Sequence, residues 1–195
     1  MSYIHIITKR YPVNESEIRA AYPNTSFPAQ FVPPPEYAWV FPTPAPSHDA
    51  NRQAVQEVAP VKTNKWEQRW AVVDLPPDVV EANLKRIREE RAARIRFLRD
   101  DKTLNGGYAV DGKWFHSDTK SRTQQIGLVM LGENIPAGLE WKTMDGTFVP
   151  MTAALAQKVF EAAAAQDIAI FQHAEKLLAD ESLDVSAGWP ATFGG

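Results

Sequence analysis

The chain contains no cysteine, which excludes disulfides, thiolate metal sites and a cysteine nucleophile together. Glycine is missing from the N-terminal half: all ten glycines follow Asn105, whereas twelve of the fifteen prolines lie at or before Pro77. This segregation excludes a single uniform repeat and points to two halves of the 195 residues built by different rules. An excess of positive charge is also lacking. With 21 basic and 24 acidic residues the net charge is −3, so the molecule has no field suited to a dedicated nucleic-acid binder, and any such role must be local. Long apolar runs are absent. Between Met1 and Lys9 the only one is Tyr3 to Ile7, interrupted by His5, far below a signal segment or membrane span. The expectation is a protein without membrane association, made and kept in the cytoplasm or assembled into a particle there. A hydrophobic fraction of 44% and a charged fraction of 23% fit a folded globular chain.

Residues 1 to about 60 are punctuated at Pro12, Pro23, Pro28, Pro33 to Pro35 and Pro42, Pro44 and Pro46. Each proline fixes φ and removes a donor, so only short elements fit. Ser16 to Ala21 allows a short helix capped by Asn14 or Ser16. Tyr37 to Phe41 alternates large aromatics with smaller residues, which predicts a strand carrying Tyr37, Trp39 and Phe41 on one face. Gln56 to Thr63 and Lys65 to Val73, joined at Thr63-Asn64, read as a hairpin completing a small antiparallel sheet. From Asp78 to Asp101 apolar residues recur at helical spacing among many charges, which predicts one amphipathic connecting helix. Two Asp-Gly pairs, Asp111-Gly112 and Asp145-Gly146, each lie between short apolar runs and predict two hairpins. A helix from about Thr119 to Leu131, capped by Ser117 or Asp118, separates them, and Thr152 caps a last helix through about Ala179. The fold class is therefore α+β: a proline-rich antiparallel β lobe over 1–75, a connecting helix over 76–104, a ββ-α-ββ-α lobe over 105–181 and an irregular tail over 182–195.

No arrangement of catalytic residues emerges. Gly106-Gly107 precedes a strand and so does not make a phosphate loop. His5, His48, His116 and His173 share no ligand spacing, so neither a metal nor a cofactor is expected. Asp111 and Asp145 invite comparison with an acid/base pair, but the turn chemistry of Asp-Gly explains both. Eight basic and four acidic residues between Lys85 and Lys102 suit a solvated or partner-contacting helix better than a nucleic-acid site. Tyr37, Trp39 and Phe41 have two readings, a protein-binding face or the core of a small sheet.

Two regions carry a resemblance. Ile18 to Leu75, with Pro23-Asn24-Thr25-Ser26-Phe27-Pro28, Val40-Phe41-Pro42-Thr43-Pro44-Ala45-Pro46 and Trp70-Ala71-Val72-Val73-Asp74-Leu75-Pro76, resembles the N-terminal part of small bacteriophage tail proteins encoded beside tail-fibre genes. Ala92 to Leu178, with Gly107-Tyr108-Ala109-Val110-Asp111-Gly112-Lys113-Trp114-Phe115 and Trp141-Lys142-Thr143-Met144-Asp145-Gly146-Thr147-Phe148, is similar to an uncharacterised domain common in phage and prophage tail-fibre regions. The resemblance implies a non-enzymatic tail protein that binds tail-fibre or baseplate subunits, either as a virion component or as an assembly chaperone acting in the host cytoplasm, with self-association open. It implies no cofactor and no catalytic residue. Two alternatives come from other classes. One is a small hydrolase of host-surface polymer using Asp111, His116, Asp118 and Asp145; the other is nucleic-acid binding through residues 85–102.

Overall fold

Closely spaced prolines leave room for strands of a few residues, and the first part of the chain forms such strands around one short helix. The computed structural model describes residues 1–194, and its contacts divide the chain into two units, Met1–Lys85 and Arg86–Gly195. It is an α+β protein.

In the first unit, strand β1 (Ser2–His5), helix α1 (Glu15–Ala21) and strands β2 (Tyr37–Phe41), β3 (Gln53–Lys62) and β4 (Trp66–Asp74) form a four-stranded sheet in the order β1-β2-β4-β3. Asn14 caps α1 as a reciprocal box: its side chain accepts from the Glu17 amide at 2.9 Å, and the Glu17 carboxylate accepts from the Asn14 amide at 2.9 Å, which satisfies two otherwise orphaned donors. Tyr3, Val13 and Ile18 are buried together, with Tyr22, Phe31 and Tyr37 packed against them.

Two features depart from the pattern expected of the lobe. β1, which residues 1–9 gave no reason to expect, pairs antiparallel with β2, Tyr3 opposite Trp39. The sheet is also mixed, not wholly antiparallel, because β2 runs parallel to β4 through Val40↔Trp66 and Phe41↔Glu67. Alternation identifies a strand and its faces but not its neighbour. The β3–β4 hairpin forms, and its register shifts between Val58 and Val61, where Pro60 has no N–H to give to a ladder.

Helix α2 (Pro77–Asn105) begins with proline at its first position, where the missing N–H costs nothing. Over most of its length it is solvated, and Ile95 is its one buried residue. The boundary between the two units falls within it, after Lys85.

The second unit contains the rest of α2, the hairpin β5 (Tyr108–Val110) and β6 (Lys113–Phe115), helix α3 (Thr119–Leu131), a single 3₁₀ turn (Gly132–Asn134), the hairpin β7 (Glu140–Lys142) and β8 (Phe148–Pro150), and helix α4 (Ala153–Ala179). The two Asp-Gly sites do different work. Asp111 and Gly112 both adopt positive φ, 49° and 78°, the geometry of a two-residue hairpin turn. At the second site only Gly146 does, at 82°, and the loop spans Thr143 to Thr147. Here the Asp145 carboxylate organises the turn, accepting from the Thr147 amide at 3.0 Å, the Thr147 hydroxyl at 2.7 Å and the Thr143 hydroxyl at 2.5 Å. Asp118 caps α3 by accepting from the Ser121 amide at 3.0 Å, and Thr152 caps α4 by accepting from Leu155 at 3.2 Å.

Tyr108, Val110, Phe115, Leu128, Met151, Ala156, Val159 and Ala163 form the main core of this unit. A second cluster joins Ile95, Ala174 and Leu177 to Leu183, Val185 and Trp189. The tail is irregular yet packed. The Phe193 amide donates to Gly106 O at 2.8 Å, and Arg91 donates to the carbonyls of Leu177, Asp180 and Leu183 at 2.9 to 3.1 Å, placing a cation on the negative end of α4.

Arg122 is the polar centre of the unit. It grips the Asp167 carboxylate with two bonds of 2.5 and 2.8 Å, donates to Ser117 O at 2.6 Å and Thr103 O at 2.9 Å, and lies 5.7 Å from the Tyr108 ring centroid. Beside it Tyr108 donates its hydroxyl to Gln125, whose amide donates to His116 O at 3.1 Å. Truncating Arg122 leaves Asp167 and two carbonyls without partners. Arg122→Ala is therefore expected to cost about 2 to 3 kcal/mol, below the figure for a fully buried pair because both ends keep some exposure, measured as a fall in urea midpoint at unchanged slope.

Burial pushes the Tyr108 phenol up to about 12, against a smaller opposing pull from Arg122. The unfolded chain ionises first, so the stability that the neutral phenol contributes is full below pH 10 and is lost as pH rises toward 12. Tyr108 is the only tyrosine of the second unit. In ring-labelled tyrosine NMR, the signal removed by Tyr108→Phe should titrate near 12; titration near the ordinary value with the fold intact would contradict this.

Candidate functional site

β2 alternates as its sequence requires, and the alternation decides which rings reach solvent. Val40 is buried at 3% exposure, while Trp39 on the opposite face keeps 39%. The three aromatics of that face are not equivalent. Tyr37 packs against the Tyr3–Val13–Ile18 cluster, edge-on to His5 at 4.8 Å and to Tyr22 at 6.5 Å. Trp39 and Phe41 pair with each other at the surface, ring centroids 4.2 Å apart and planes 38° apart. The two readings of this strand thus divide along it: Tyr37 packs on the core, and exposed Trp39 with half-buried Phe41 forms an aromatic step at the surface.

The parallel register with β4 supplies the surroundings of that step. Lys65, just before β4, holds its ammonium 4.1 Å from the Phe41 ring centroid, a cation–π contact at a partly solvated site. A cleft of about 350 Å³ opens beside Trp39, lined also by Met1, Ser2, Tyr11, Val40, Pro42 and Gln68. One wall is a fixed polar belt. Tyr11 donates to Glu57, Gln68 donates to the same carboxylate at 2.7 Å, and Gln68 accepts from the Thr43 amide at 3.2 Å. Burial, and after it the hydrogen bond and negative charge of Glu57, push the Tyr11 phenol far above its ordinary value, so it remains a neutral donor. An apolar floor with a few fixed polar groups suits an uncharged or aromatic partner surface. Lys65, Tyr11 and Gln68 gave no sign in the sequence, since they reach the step only through the parallel pairing and the β1–β2 register.

The residues of the hydrolase alternative are engaged locally. Asp111 binds Lys158 at 2.9 Å, Asp145 binds Lys113 at 2.9 Å besides its turn bonds, and Asp118 caps α3. The Asp145 carboxyl lies well below the usual carboxylate range because of its hydroxyl and amide donors. His116 lines a shallow depression with Ser121, Gln124, Glu140, Trp141 and Lys142. Among the described residues no group of three or more histidine and carboxylate side chains could hold a metal ion. Along α2, Arg86 binds Glu90 at 2.8 Å, Arg88 binds Glu181 at 3.3 Å, and Arg99 binds Asp100 at 2.8 Å and lies over Phe171 at 4.9 Å. Among the described residues no helix is long and apolar enough to cross a membrane.

Comparison with curated proteins and with solved structures found no match. Residues 86–187, just over half of the chain and almost the whole second unit, match the family described as "Domain of unknown function (DUF4376)", and the chain belongs to that family.

Proposed function

We propose that the protein is a non-enzymatic bacteriophage tail protein that binds tail-fibre or baseplate subunits through the Trp39–Phe41 step. The observation that carries this reading is the step itself. An exposed tryptophan lies against a half-buried phenylalanine at the surface and lines a cleft, where a monomer with no partner gains nothing from exposing it. The resemblance of residues 18–75 and 92–178 to tail-fibre-associated proteins supplies the class of partner. In this reading the protein meets its partner in the host cytoplasm during assembly and either leaves or stays in the virion tail.

Neither ring of the step belongs to the buried cluster of Tyr3, Val13 and Ile18 on its own face of the sheet, and Val40 is buried on the other face. The double variant Trp39→Ala with Phe41→Ala is expected to keep its circular dichroism while losing capture of the cognate tail-fibre or baseplate subunit at least tenfold, on the scale of an aromatic hot spot. Undiminished capture would remove the step from the proposal, and loss of fold would return both rings to the core. Mass spectrometry of purified virions then separates a component, present at fixed stoichiometry, from an assembly factor, which is absent.

A further inference from the structure

Helix α4 carries two apolar faces, and the fold uses one. Ala156, Val159, Ala163, Ile170, Ala174 and Leu177 are buried. About 100° around the helix, at 100° per residue, Phe160, Ala164, Ile168 and Phe171 recur at intervals of four, four and three residues and remain exposed: Phe160 43%, Ile168 59% and Phe171 44%. Helix α3 extends this face. Ile126, 48% exposed, lines one groove with Phe160 and Ala164, and Met130, 83% exposed, follows one turn later.

The charges within the groove are Arg122 and Asp167, which neutralise each other through their two-bond pair, and Arg99, which lies over Phe171 at the end of the face, is bound to Asp100 at 2.8 Å. A surface with no net charge offers nothing to a basic, acidic or nucleic-acid partner. It does suit a copy of itself. Because the Arg122–Asp167 pair is already satisfied by hydrogen bonds, covering it leaves no charge unpaired.

We infer that the α3–α4 face is a homodimer interface in which two copies of α4 pack antiparallel about a two-fold axis at Ala164. That axis sets Phe160 of each copy against Ile168 of the other and places the smallest residue where the helices approach most closely. The six side chains from Ile126 to Phe171 expose on the order of 500 Å², at the upper end for a monomer. Two copies then remove on the order of 1,000 Å² before the rim is counted, where specific interfaces begin. The dimer is accordingly a weak one, formed in the micromolar range. This inference stands independently of the tail-protein reading.

The chain has no cysteine, so one introduced thiol reports the symmetry directly. Sedimentation of the full chain should show a mass rising with concentration from 21.8 kDa toward twice that value. Ala164→Arg, at an exposed helical position, should hold the monomer mass with unchanged circular dichroism. Under mild oxidation Ala164→Cys should form a covalent dimer roughly tenfold faster than Lys120→Cys, an exposed control on α3, because a disulfide needs Cα atoms within about 7 Å. A monomer at every concentration, a dimer that survives Ala164→Arg, or equal cross-linking of the two thiols would each overturn the inference.

Discussion

The second unit is organised around one guanidinium. Arg122 draws bonds from the end of α2 at Thr103, the turn after β6 at Ser117 and the middle of α4 at Asp167, and its plane lies near the Tyr108 ring of β5. Apolar packing alone leaves small elements free to slide, since hydrophobic contact is not directional. A planar fork with fixed donor directions does not permit this. The short hairpins of the unit, three residues per strand, gain little from their own ladders. Their positions follow from the rings they bury and from this polar centre beside them.

Local chemistry announced itself clearly in the sequence. The ends of α4 follow from Thr152 and the polar residues after Ala179, the first turn from Asp111-Gly112, and the limits of β2 from its alternating rings. Long-range pairing did not. Nothing near Tyr3 reveals that it lies opposite Trp39, and nothing near Trp66 reveals a parallel neighbour. Asp145 shows the same limit at short range. Its side chain competes with the backbone for the turn, so Asp-Gly there closes a five-residue loop held by hydroxyls.

The candidate surface was half visible for the same reason. Periodicity places Tyr37, Trp39 and Phe41 on one face, but which ring is covered depends on α1 and on the Phe31 loop, and these cover Tyr37 alone of the three. Likewise the last helix announces a broad apolar arc. Only packing shows that Phe160 and Phe171 fall on its solvent side while Val159 and Ile170 fall inside.

Pro60 carries a consequence of another kind. Strand β3 is one of the two outer strands of its sheet and, among the described residues, the longest strand at ten residues, the kind of open edge that recruits strands from unrelated chains and seeds aggregates. Pro60 lies where the register of β3 against β4 shifts, between Val58 and Val61, an irregularity that bends an edge strand, and Glu57 and Lys62 place opposite charges on either side of it. The strand is thereby a poor template for indiscriminate pairing. The same residue that irregularises the hairpin thus acts as a gatekeeper, leaving side-chain surfaces and not bare backbone to choose the contacts.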